Sequence, residues 1–455
     1  RNDVYFYIDK TALMYQMVKT GSYYFLSRPR RFGKSLLIST LEAYFQGKKE
    51  LFEGLAVEKL EKDWIKHPIL HLDLNIEKYD TPESLDKILN DNLEYWESQY
   101  GTRPSETSFS LRFAGIIQRA CEKTGQRVVI LVDEYDKPML QAIGNEELQK
   151  QFRNTLKPFY GALKTKDGYI KFALLTGVTK FGKVSVFSDL NNLDDISMWN
   201  EYVEICGVSE REIHENLEAE LHEFAAARGI TYDKLCEDLR ECYDGYHFTH
   251  NSIGMYNPFS LLNAFKRKEF GSYWFETGTP TYLVKLLKKH HYDLERMAHE
   301  ETDVQVLNSI DSESTNPIPV IYQSGYLTIK GYDEEFGMYR LGFPNREVEE
   351  GFIRFLLPFY ANVNKVESPF EIQKFVREVR SGDYNSFFHR LQSFFADTTY
   401  EVIRDQELHY ENVLFIVFKL LGFYTKVEYH TSEGRIDLVL SLIHISEPTR
   451  RRGIS

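Results

Sequence analysis

The segment Val128–Val132 is an unbroken run of aliphatic side chains, VVILV, in an otherwise mixed sequence. A strand with one face in water alternates apolar and polar residues, whereas a strand without polar residues must be covered on both faces. Other strand-like segments lie at residues 23–26, 69–74 and 170–175, and stretches with helical spacing separate them. Strands that alternate with helices form a parallel sheet with helices on both sides. The sequence therefore predicts an α/β fold for the first half of the chain.

The second half of the chain has a different, mainly helical pattern. Ser209 and Glu212 match a capping box, which opens a helix. Pro258 suits the first position of another helix, because that position needs no backbone N–H donor. Residues 321–343 combine a helix with two short aromatic strands, starting at Gly325 and Met338. This arrangement is typical of a winged-helix unit.

Composition limits the class of protein. The chain has 455 residues, of which 42% are hydrophobic and 27% charged, which is ordinary for a globular protein of about three domains. The net charge of −13 argues against a generally basic nucleic-acid surface. No apolar stretch reaches the roughly 18 residues that cross a membrane, so no membrane partner is expected. The four cysteines form no CxxC pair, which disfavours a zinc site and fits a reducing cytoplasm.

The segment Ser27–Ser35 follows one predicted strand and opens a predicted helix. Backbone amides at the start of a helix bind phosphate oxygens. In a P-loop, Gly33 would allow close backbone approach, Lys34 would reach the β- and γ-phosphates, and the Ser35 hydroxyl would hold magnesium. The sequence therefore predicts a site for ATP and Mg²⁺. The alternative is a solvated basic turn before a surface helix.

One position of this segment departs from the usual P-loop pattern, GxxxxGK[ST]. The pattern places glycine five residues before Gly33, where this chain has Arg28. Pro29 could fix a different turn. Arg28, Arg30 and Arg31 put positive charge where the phosphates would lie, and we count all three among the predicted nucleotide-binding residues.

Two carboxylates, Asp133 and Glu134, follow the VVILV run directly. In parallel sheets, ligands bind at the carboxyl ends of the strands. Asp133 is predicted to hold the magnesium, and Glu134 to orient and activate the attacking water. Glu134 and Lys34 would then be the catalytic residues of an ATPase. The alternative is a pair of surface carboxylates at a strand end.

The strand at residues 170–175 is followed by polar residues that could sense the γ-phosphate. Thr176 and Thr179 are the candidates, with Lys180 nearby. The alternative, an ordinary strand end with a turn at Gly177, is about equally consistent with the sequence. Asp73, near the end of another strand, is a weaker candidate.

These segments together resemble bacterial proteins with an AAA-ATPase-like domain. The resemblance extends from the start of the chain to about Leu440, and Arg also replaces the first P-loop glycine in that family. It implies a P-loop ATPase followed by a nuclease domain of the PD-(D/E)XK type. The matching segments are IDKT at 8–11, YFLSRPRRFGKS at 24–35, LVDEYD at 131–136, LTGVTKF at 175–181, YDGY at 243–246, YNPFS at 256–260 and FETGTP at 275–280.

The nuclease part of the resemblance is incomplete. A PD-(D/E)XK nuclease holds magnesium with a strand Asp and a following Glu-x-Lys. The resemblance implies that Asp437 is the strand Asp and Glu411 a helix carboxylate beside it, but no Glu-x-Lys follows. Residues 441–455 match neither a strand pattern nor the family, and they resemble a translated sequencing adapter. We expect a non-native tail there, the alternative being a divergent basic tail, and no nuclease activity from this chain.

The predicted fold is a P-loop NTPase parallel sheet flanked by helices, followed by a helical and winged-helix-like region and a truncated α/β nuclease-like fragment. The expected function is a Mg²⁺-dependent ATPase that regulates the attached nuclease, with DNA as partner of the full-length nuclease domain. The alternatives are an ATP-dependent switch without turnover and, ranked last because residues 321–343 are not basic, a DNA-binding module. The predicted domains are the ATPase at 1–206, a lid and winged-helix region at 207–345, a helical connector at 346–400, a partial nuclease at 401–440 and the tail at 441–455.

Overall fold

The structure is a computed structural model of the chain. The predicted tail lies outside the described residues from residue 442 onward, as does the end of the FETGTP segment. The domain boundaries stay predictions. The structure describes residues 7–180, 187, 190, 192–276, 281–308, 316–361, 367–395, 403–422, 424–431 and 434–441.

A parallel sheet of five strands forms the first part of the chain, in the order β2-β3-β4-β1-β5. All six residues of β3 are buried, as its apolar run predicts. The predicted α/β fold with a parallel sheet is therefore confirmed. The strands are β1 (Tyr23–Ser27), β2 (Ile69–Asp73), β3 (Val128–Asp133), β4 (Ile170–Gly177) and β5 (Asp194–Asp195).

Helices cover both faces of this sheet. Val129 and Leu131 face a core formed with α1 and α2, whereas Ile130 and Val132 face a core formed with α4, α5 and α7. Because successive side chains of a strand point to opposite faces, the aliphatic run of β3 serves both cores. The helices are α1 (Thr11–Thr20), α2 (Lys34–Phe45), α3 (Ala56–Leu60), α4 (Pro82–Tyr100), α5 (Phe109–Thr124), α6 (Lys137–Gln141) and α7 (Glu146–Thr165).

The register of the strands aligns their carboxyl ends. Ser27 at the end of β1 pairs with Gly177 at the end of β4, and Asp73 of β2 pairs with Asp133 of β3. The segments that follow these strands therefore emerge at one edge of the sheet. The loop between β1 and α2, residues 28–33, is the predicted phosphate loop. Since β4 lies between β1 and β3, its final residues lie between this loop and the acid pair Asp133 and Glu134.

The region after the sheet contains short strands and helices. The predicted capping box is confirmed, with Ser209 and Glu212 each bonded to the other's backbone. Pro258 is the first residue of α11, as predicted. The elements are β6 (Val208–Ser209), α8 (Glu210–Asn216), α9 (Glu218–Arg228), α10 (Tyr232–Tyr243), β7 (Met255–Tyr256), α11 (Pro258–Arg267), α12 (Tyr273–Glu276), α13 (Thr281–Lys289), β8 (Glu301–Thr302), α14 (Val304–Asn308), α15 (Ile318–Gln323), β9 (Thr328–Asp333) and β10 (Met338–Gly342).

The helix and hairpin expected at residues 321–343 are α15, β9 and β10, and β8 adds a third antiparallel strand. The first strand of the hairpin was predicted to begin at Gly325, but it begins at Thr328. Gly325 has φ of +88°, and the amide of Tyr326 still bonds the carbonyl of Ile321. The chain is therefore still leaving the helix at these residues.

Helices dominate the last part of the chain. The carboxyl-terminal fragment is a helix, α19, followed by an antiparallel hairpin, which matches the predicted order of elements. Within the described residues, no helix combines the length and apolar character needed to cross a bilayer. The elements are α16 (Arg346–Tyr360), α17 (Ser368–Ser381), α18 (Tyr384–Phe395), α19 (Ile403–Leu420), β11 (Tyr424–Thr431) and β12 (Gly434–Ser441). Short 3₁₀ helices lie at Lys49–Phe52, Asp167–Tyr169, Ile196–Met198, Asn200–Ile205 and Glu295–His299.

The complete burial of β3 leads to a stability prediction. Leu131→Ala should lower the free energy of unfolding by about 3 kcal/mol, because it leaves a cavity in a fully packed core. Leu111→Ala is the matched control, since half of the Leu111 side chain is exposed, and it should cost less than about 1 kcal/mol. Urea unfolding of both variants provides the measurement. Equal losses would contradict the burial of Leu131 in the core formed with α1 and α2.

Candidate functional site

The loop between β1 and α2 has the backbone that a phosphate site needs. Gly33 precedes α2 with φ of +97°, in the left-handed region that glycine adopts without strain. No described atom lies within 4 Å of the position that a Cβ on Gly33 would take. The space beside Gly33 is therefore open, next to the start of a helix, where backbone amides can receive an anion.

Lys34 lies at the centre of this loop and is almost fully buried. Its Nζ donates to the carbonyls of Arg28, at 3.1 Å, and Pro29, at 3.3 Å. The same Nζ lies 3.3 Å from Oε1 of Glu134. Ser35, in the first turn of α2, is exposed. The structure thus brings Lys34 and Glu134, two of the predicted residues, together at the edge of the sheet.

The acid pair adopts an unusual backbone at the end of β3. Glu134 has φ of +53°, a conformation that costs free energy for a residue with a side chain and that often marks functional sites. Asp133 is buried, and its Oδ1 accepts hydrogen bonds from the hydroxyl of Thr176, at 2.7 Å, and the amide of Glu134, at 3.1 Å. The turn after Asp133 directs Glu134 toward the phosphate loop.

The two predicted sensor threonines have different surroundings. Thr176 is beside the acid pair through its bond to Asp133. Thr179 is buried, and its amide and hydroxyl donate to Oδ2 of Asp136 at 2.6 and 2.7 Å. Nζ of Lys180 lies 2.8 Å from Oδ2 of Asp195 and 2.5 Å from Oδ1 of Asn308. Of the two threonines, Thr176 is therefore the one in contact with the acid pair.

Asp136 was not among the predicted residues, although the LVDEYD run contains it. It is fully buried, and besides the two Thr179 donors it accepts a bond from the amide of Val178 at 3.3 Å. Burial and the charge of Glu134 raise the pKa of Asp136 to about 7, while the Thr179 hydrogen bonds oppose that rise. A Cβ at Gly177 would lie 2.5 Å from Oδ1 of Asp136, so this contact requires glycine.

Arg28 does not point into the loop as the prediction that it binds nucleotide requires. Its guanidinium is buried and donates to the carbonyls of Ser197, at 2.8 Å, and Tyr202, at 3.0 Å, and it lies 3.9 Å from the ring centre of Phe248. Its Nε finds no hydrogen-bond partner among the described residues. Burial lowers the pKa of Arg28 to about 10. The geometry therefore favours a role for Arg28 in anchoring the loop.

The other two arginines are closer to the surface. Arg30 is half-buried, and its Nη2 lies 3.3 Å from the hydroxyl of Tyr326. Arg31 is exposed, with its guanidinium 5.1 Å from the ring centre of Phe259. Of the three predicted arginines, Arg31 is thus the one whose position leaves it accessible to a ligand in solvent.

An apolar cavity beside Gly33 is a feature that the sequence reasoning missed. Its volume is about 120 Å³, and it opens to solvent. Its walls come from the amino-terminal segment and α1, from α2, from residues 205–208 and from α11. No single segment of the sequence therefore indicated this cavity. The lining residues are Tyr7, Ile8, Lys10, Met14, Phe32, Gly33, Leu36, Leu37, Thr40, Ile205, Cys206, Gly207, Val208, Pro258 and Leu262.

The predicted nuclease residues lie on the elements expected for them. Glu411 is on α19, and Asp437 is on β12, although the side chain of Asp437 lies outside the described residues. In the part of the chain with described side chains, no three His, Cys, Asp or Glu residues cluster as metal ligands. A metal role for Glu411 and Asp437 stays a prediction.

Comparisons with known proteins agree with both parts of the chain. Residues 1–187 match the family model AAA-ATPase_like, described as a predicted AAA-ATPase. Over 451 residues the chain is 34% identical to an "Uncharacterized protein in vnfD 5'region" of Azotobacter chroococcum mcd 1, covering 96% of this chain and 84% of the relative. The chain belongs to this AAA-ATPase-like family. The family resemblance of the sequence is thereby confirmed.

The AAA-ATPase-like chain also has a nuclease-like segment, because residues 405–453 match the PD-(D/E)XK nuclease superfamily. That match ends inside the segment 441–455, whose origin stays a prediction. Among solved structures, the Aeropyrum pernix ORC2 protein, titled as ADPNP-ADP complexes, is similar with a TM-score of 0.28 and 9% identity. The similarity covers 75% of this chain and 92% of the ORC2 chain.

The burial of Asp136 predicts a pH dependence of stability. A carboxyl whose pKa is higher in the folded chain stabilises the fold below the unfolded pKa of about 4, and this contribution is lost as the pH rises to about 7. In the parent, the ionisation of Asp136 should lower the free energy of unfolding by up to about 1.4 kcal/mol per pH unit over that range. Asp136→Asn should abolish this part of the decline, because the amide does not ionise. Urea unfolding at pH 4 to 7 measures this decline.

The matched control for this measurement is Glu201→Gln, at an exposed position. It should leave the pH dependence of the parent unchanged. If Asp136→Asn and Glu201→Gln both reproduce the parent's profile, Asp136 ionises in the folded chain as freely as in the unfolded chain, and the argument from burial is wrong.

Proposed function

We propose that this chain binds ATP with Mg²⁺ at the loop between β1 and α2 and hydrolyses it. The observation that carries the proposal is the distance of 3.3 Å between Nζ of Lys34 and Oε1 of Glu134. A phosphate-binding lysine and a carboxylate suited to activate water thereby share one point at the edge of a parallel sheet, where ligands of such sheets bind.

The residues present fit a magnesium ion. Mg²⁺ binds hard oxygen ligands and keeps several waters, so one hydroxyl and one carboxylate with phosphate oxygens are a suitable set. Ser35 and Asp133 would hold the ion, and Thr176 fixes the orientation of Asp133 through its hydrogen bond. When bound, the ion would neutralise negative charge on the phosphates.

Glu134 would act as the base. In the structure its carboxylate contacts the ammonium of Lys34, which also bonds the loop carbonyls. Phosphate oxygens of ATP would compete for Lys34 and so release Glu134 to orient a water and accept its proton. Glu134 has a left-handed backbone, with φ of +53°, and the surrounding structure must impose this costly conformation.

The apolar cavity beside Gly33 supports adenine as the base of the nucleotide. Ligand pockets are mostly apolar and bury most of the ligand surface. This cavity adjoins the phosphate loop at Gly33, so one molecule could fill the cavity with its base while its phosphates reach the amides of α2. Leu36 and Val208 would form part of its walls.

The proposal includes regulation of the attached nuclease by the nucleotide. Helix α16 packs against α19, and Nζ of Lys419 lies 2.7 Å from Oε1 of Glu349. The nuclease-like segment is therefore in physical contact with the region that follows the ATPase sheet. DNA would be the substrate of the full-length nuclease domain.

A second candidate function is an ATP-dependent switch with little turnover. It is favoured by the ion pair between Lys34 and Glu134, because a carboxylate held by lysine is not available to water.

The described cysteines are free thiols, which fits the cytoplasm as the compartment of either function.

The phosphate-binding role of Lys34 can be tested by replacement. Lys34→Ala should weaken the binding of a fluorescent ATP analogue by roughly ten- to hundred-fold, because charge-assisted hydrogen bonds to the phosphates are lost. Lys49→Ala, at an exposed position after α2, is the control and should bind as the parent does. Unchanged affinity of Lys34→Ala would refute the P-loop assignment.

The role of Glu134 separates the two candidate functions. Glu134→Gln should keep ATP binding but lower the hydrolysis rate by about hundred-fold or more, because the amide cannot accept a proton from water. Glu147→Gln, exposed in the first turn of α7, is the control. Phosphate release is the measurement. Turnover by Glu134→Gln within about twofold of the parent would favour the switch.

A further inference from the structure

The phosphate loop rests on residues that follow the sheet in the sequence. The ring of Phe32 packs edge-on against the rings of Tyr246 and Phe248, with centres 4.8 and 5.5 Å apart. The carbonyl of Phe32 accepts from the amide of Gly207 at 3.0 Å. These contacts join the loop to the region at 207–345 rather than to the sheet alone.

The same region approaches the loop at Pro29. Gly325, at the end of α15, has φ of +88°, and a Cβ there would lie 2.6 Å from Cβ of Pro29. Only glycine permits this approach without a shift of the backbone. The contact therefore fixes the distance between the phosphate loop and the end of α15.

Trp274 makes the most direct of these contacts. Its side chain is fully buried, and its Nε1 donates to the carbonyl of Arg30 at 2.9 Å. The guanidinium of Arg30 lies 5.6 Å from the ring centre of Trp274. The hydrogen bond sets the orientation of the peptide that links Arg30 to Arg31, and Arg31 itself has φ of +64°. One indole thus holds the loop at its most sharply turned position.

The backbone of Trp274 is bonded in the opposite direction. Its amide donates to Oε1 of Glu347 at 2.7 Å and to the hydroxyl of Ser260 at 3.2 Å. Glu347 is buried in the first turn of α16. Trp274 thus contacts the phosphate loop through Arg30 and α16 through Glu347. Helix α16 in turn packs against α19, which belongs to the nuclease-like segment.

We propose that Trp274 is a positioning residue for the phosphate loop and that it transmits nucleotide binding to α16 through Glu347. The inference rests on the proposed function, because it requires that the loop bind a nucleotide. An anion at the amides of Gly33 and Lys34 would shift the neighbouring peptides of the loop. Any such shift reaches the indole N–H through the carbonyl of Arg30, and a buried indole can move only together with its own bonded backbone.

The test compares Trp274→Phe with the parent. Phenylalanine keeps an aromatic ring in the core but removes the N–H donor. The dissociation constant for MgADP, measured by calorimetry, should rise about five-fold, which corresponds to one hydrogen bond. Trp199→Phe is the matched control, because Trp199 is 42% exposed. It should leave the affinity unchanged.

Two further readouts separate transmission from simple packing. Indole emission responds to the hydrogen bonding of its N–H, so MgADP should change the tryptophan fluorescence of the parent and of Trp199→Phe, but not that of Trp274→Phe. MgADP should also slow amide hydrogen exchange in Arg346–Tyr360 of the parent, and this protection should be lost in Trp274→Phe.

The outcomes are distinguishable. If the parent binds neither MgADP nor the fluorescent ATP analogue, the proposed function and this inference both fail. If it binds only the analogue, the analogue replaces MgADP in these measurements. If the parent binds and Trp274→Phe matches it in affinity and in protection of α16, Trp274 is a core residue only and the inference alone is refuted. If Trp274→Phe does not fold, the parent decides, since absence of nucleotide-dependent protection in Arg346–Tyr360 overturns the proposal.

Discussion

Hydrogen bonding between parallel strands determines where each strand of the sheet ends, and the site depends on that alignment. The pairing of Ser27 with Gly177 and of Asp73 with Asp133 leaves the following residues at one edge. A shift of one residue in a single strand would turn every side chain of that strand to the opposite face. The two hydrophobic cores on the faces of β3 therefore also hold Lys34 and Glu134 at contact distance.

Local patterns in the sequence were enough to predict the sheet and the loop between β1 and α2, whereas the role of that loop in binding phosphate stays a prediction. The VVILV run, the glycine before Lys34 and the acid pair after β3 each lie within one segment, and each was found where expected. The environment of Arg28 could not be predicted in this way, because Ser197, Tyr202 and Phe248 approach it from distant segments. The apolar cavity beside Gly33 likewise has walls from several segments.

Charged groups at the site are buried in unusual density. Lys34, Asp133, Asp136, Arg28 and Lys180 are each nearly inaccessible to water. Such groups cost free energy unless partners satisfy them, and here the partners are mostly backbone carbonyls, backbone amides and threonine hydroxyls. Removing one partner weakens the compensation of a charge that water cannot reach. The site is thus expected to form as a unit with the surrounding fold.

The backbone conformation of Glu134 costs folding free energy at a residue that we propose as the base. With φ of +53°, this position would suit glycine or asparagine better than glutamate. A sequence chosen for thermal stability alone would therefore replace Glu134, whose carboxylate contacts Lys34. Automated stabilisation of this protein, and variant libraries screened on melting temperature, would therefore select against the carboxylate that we propose as the base.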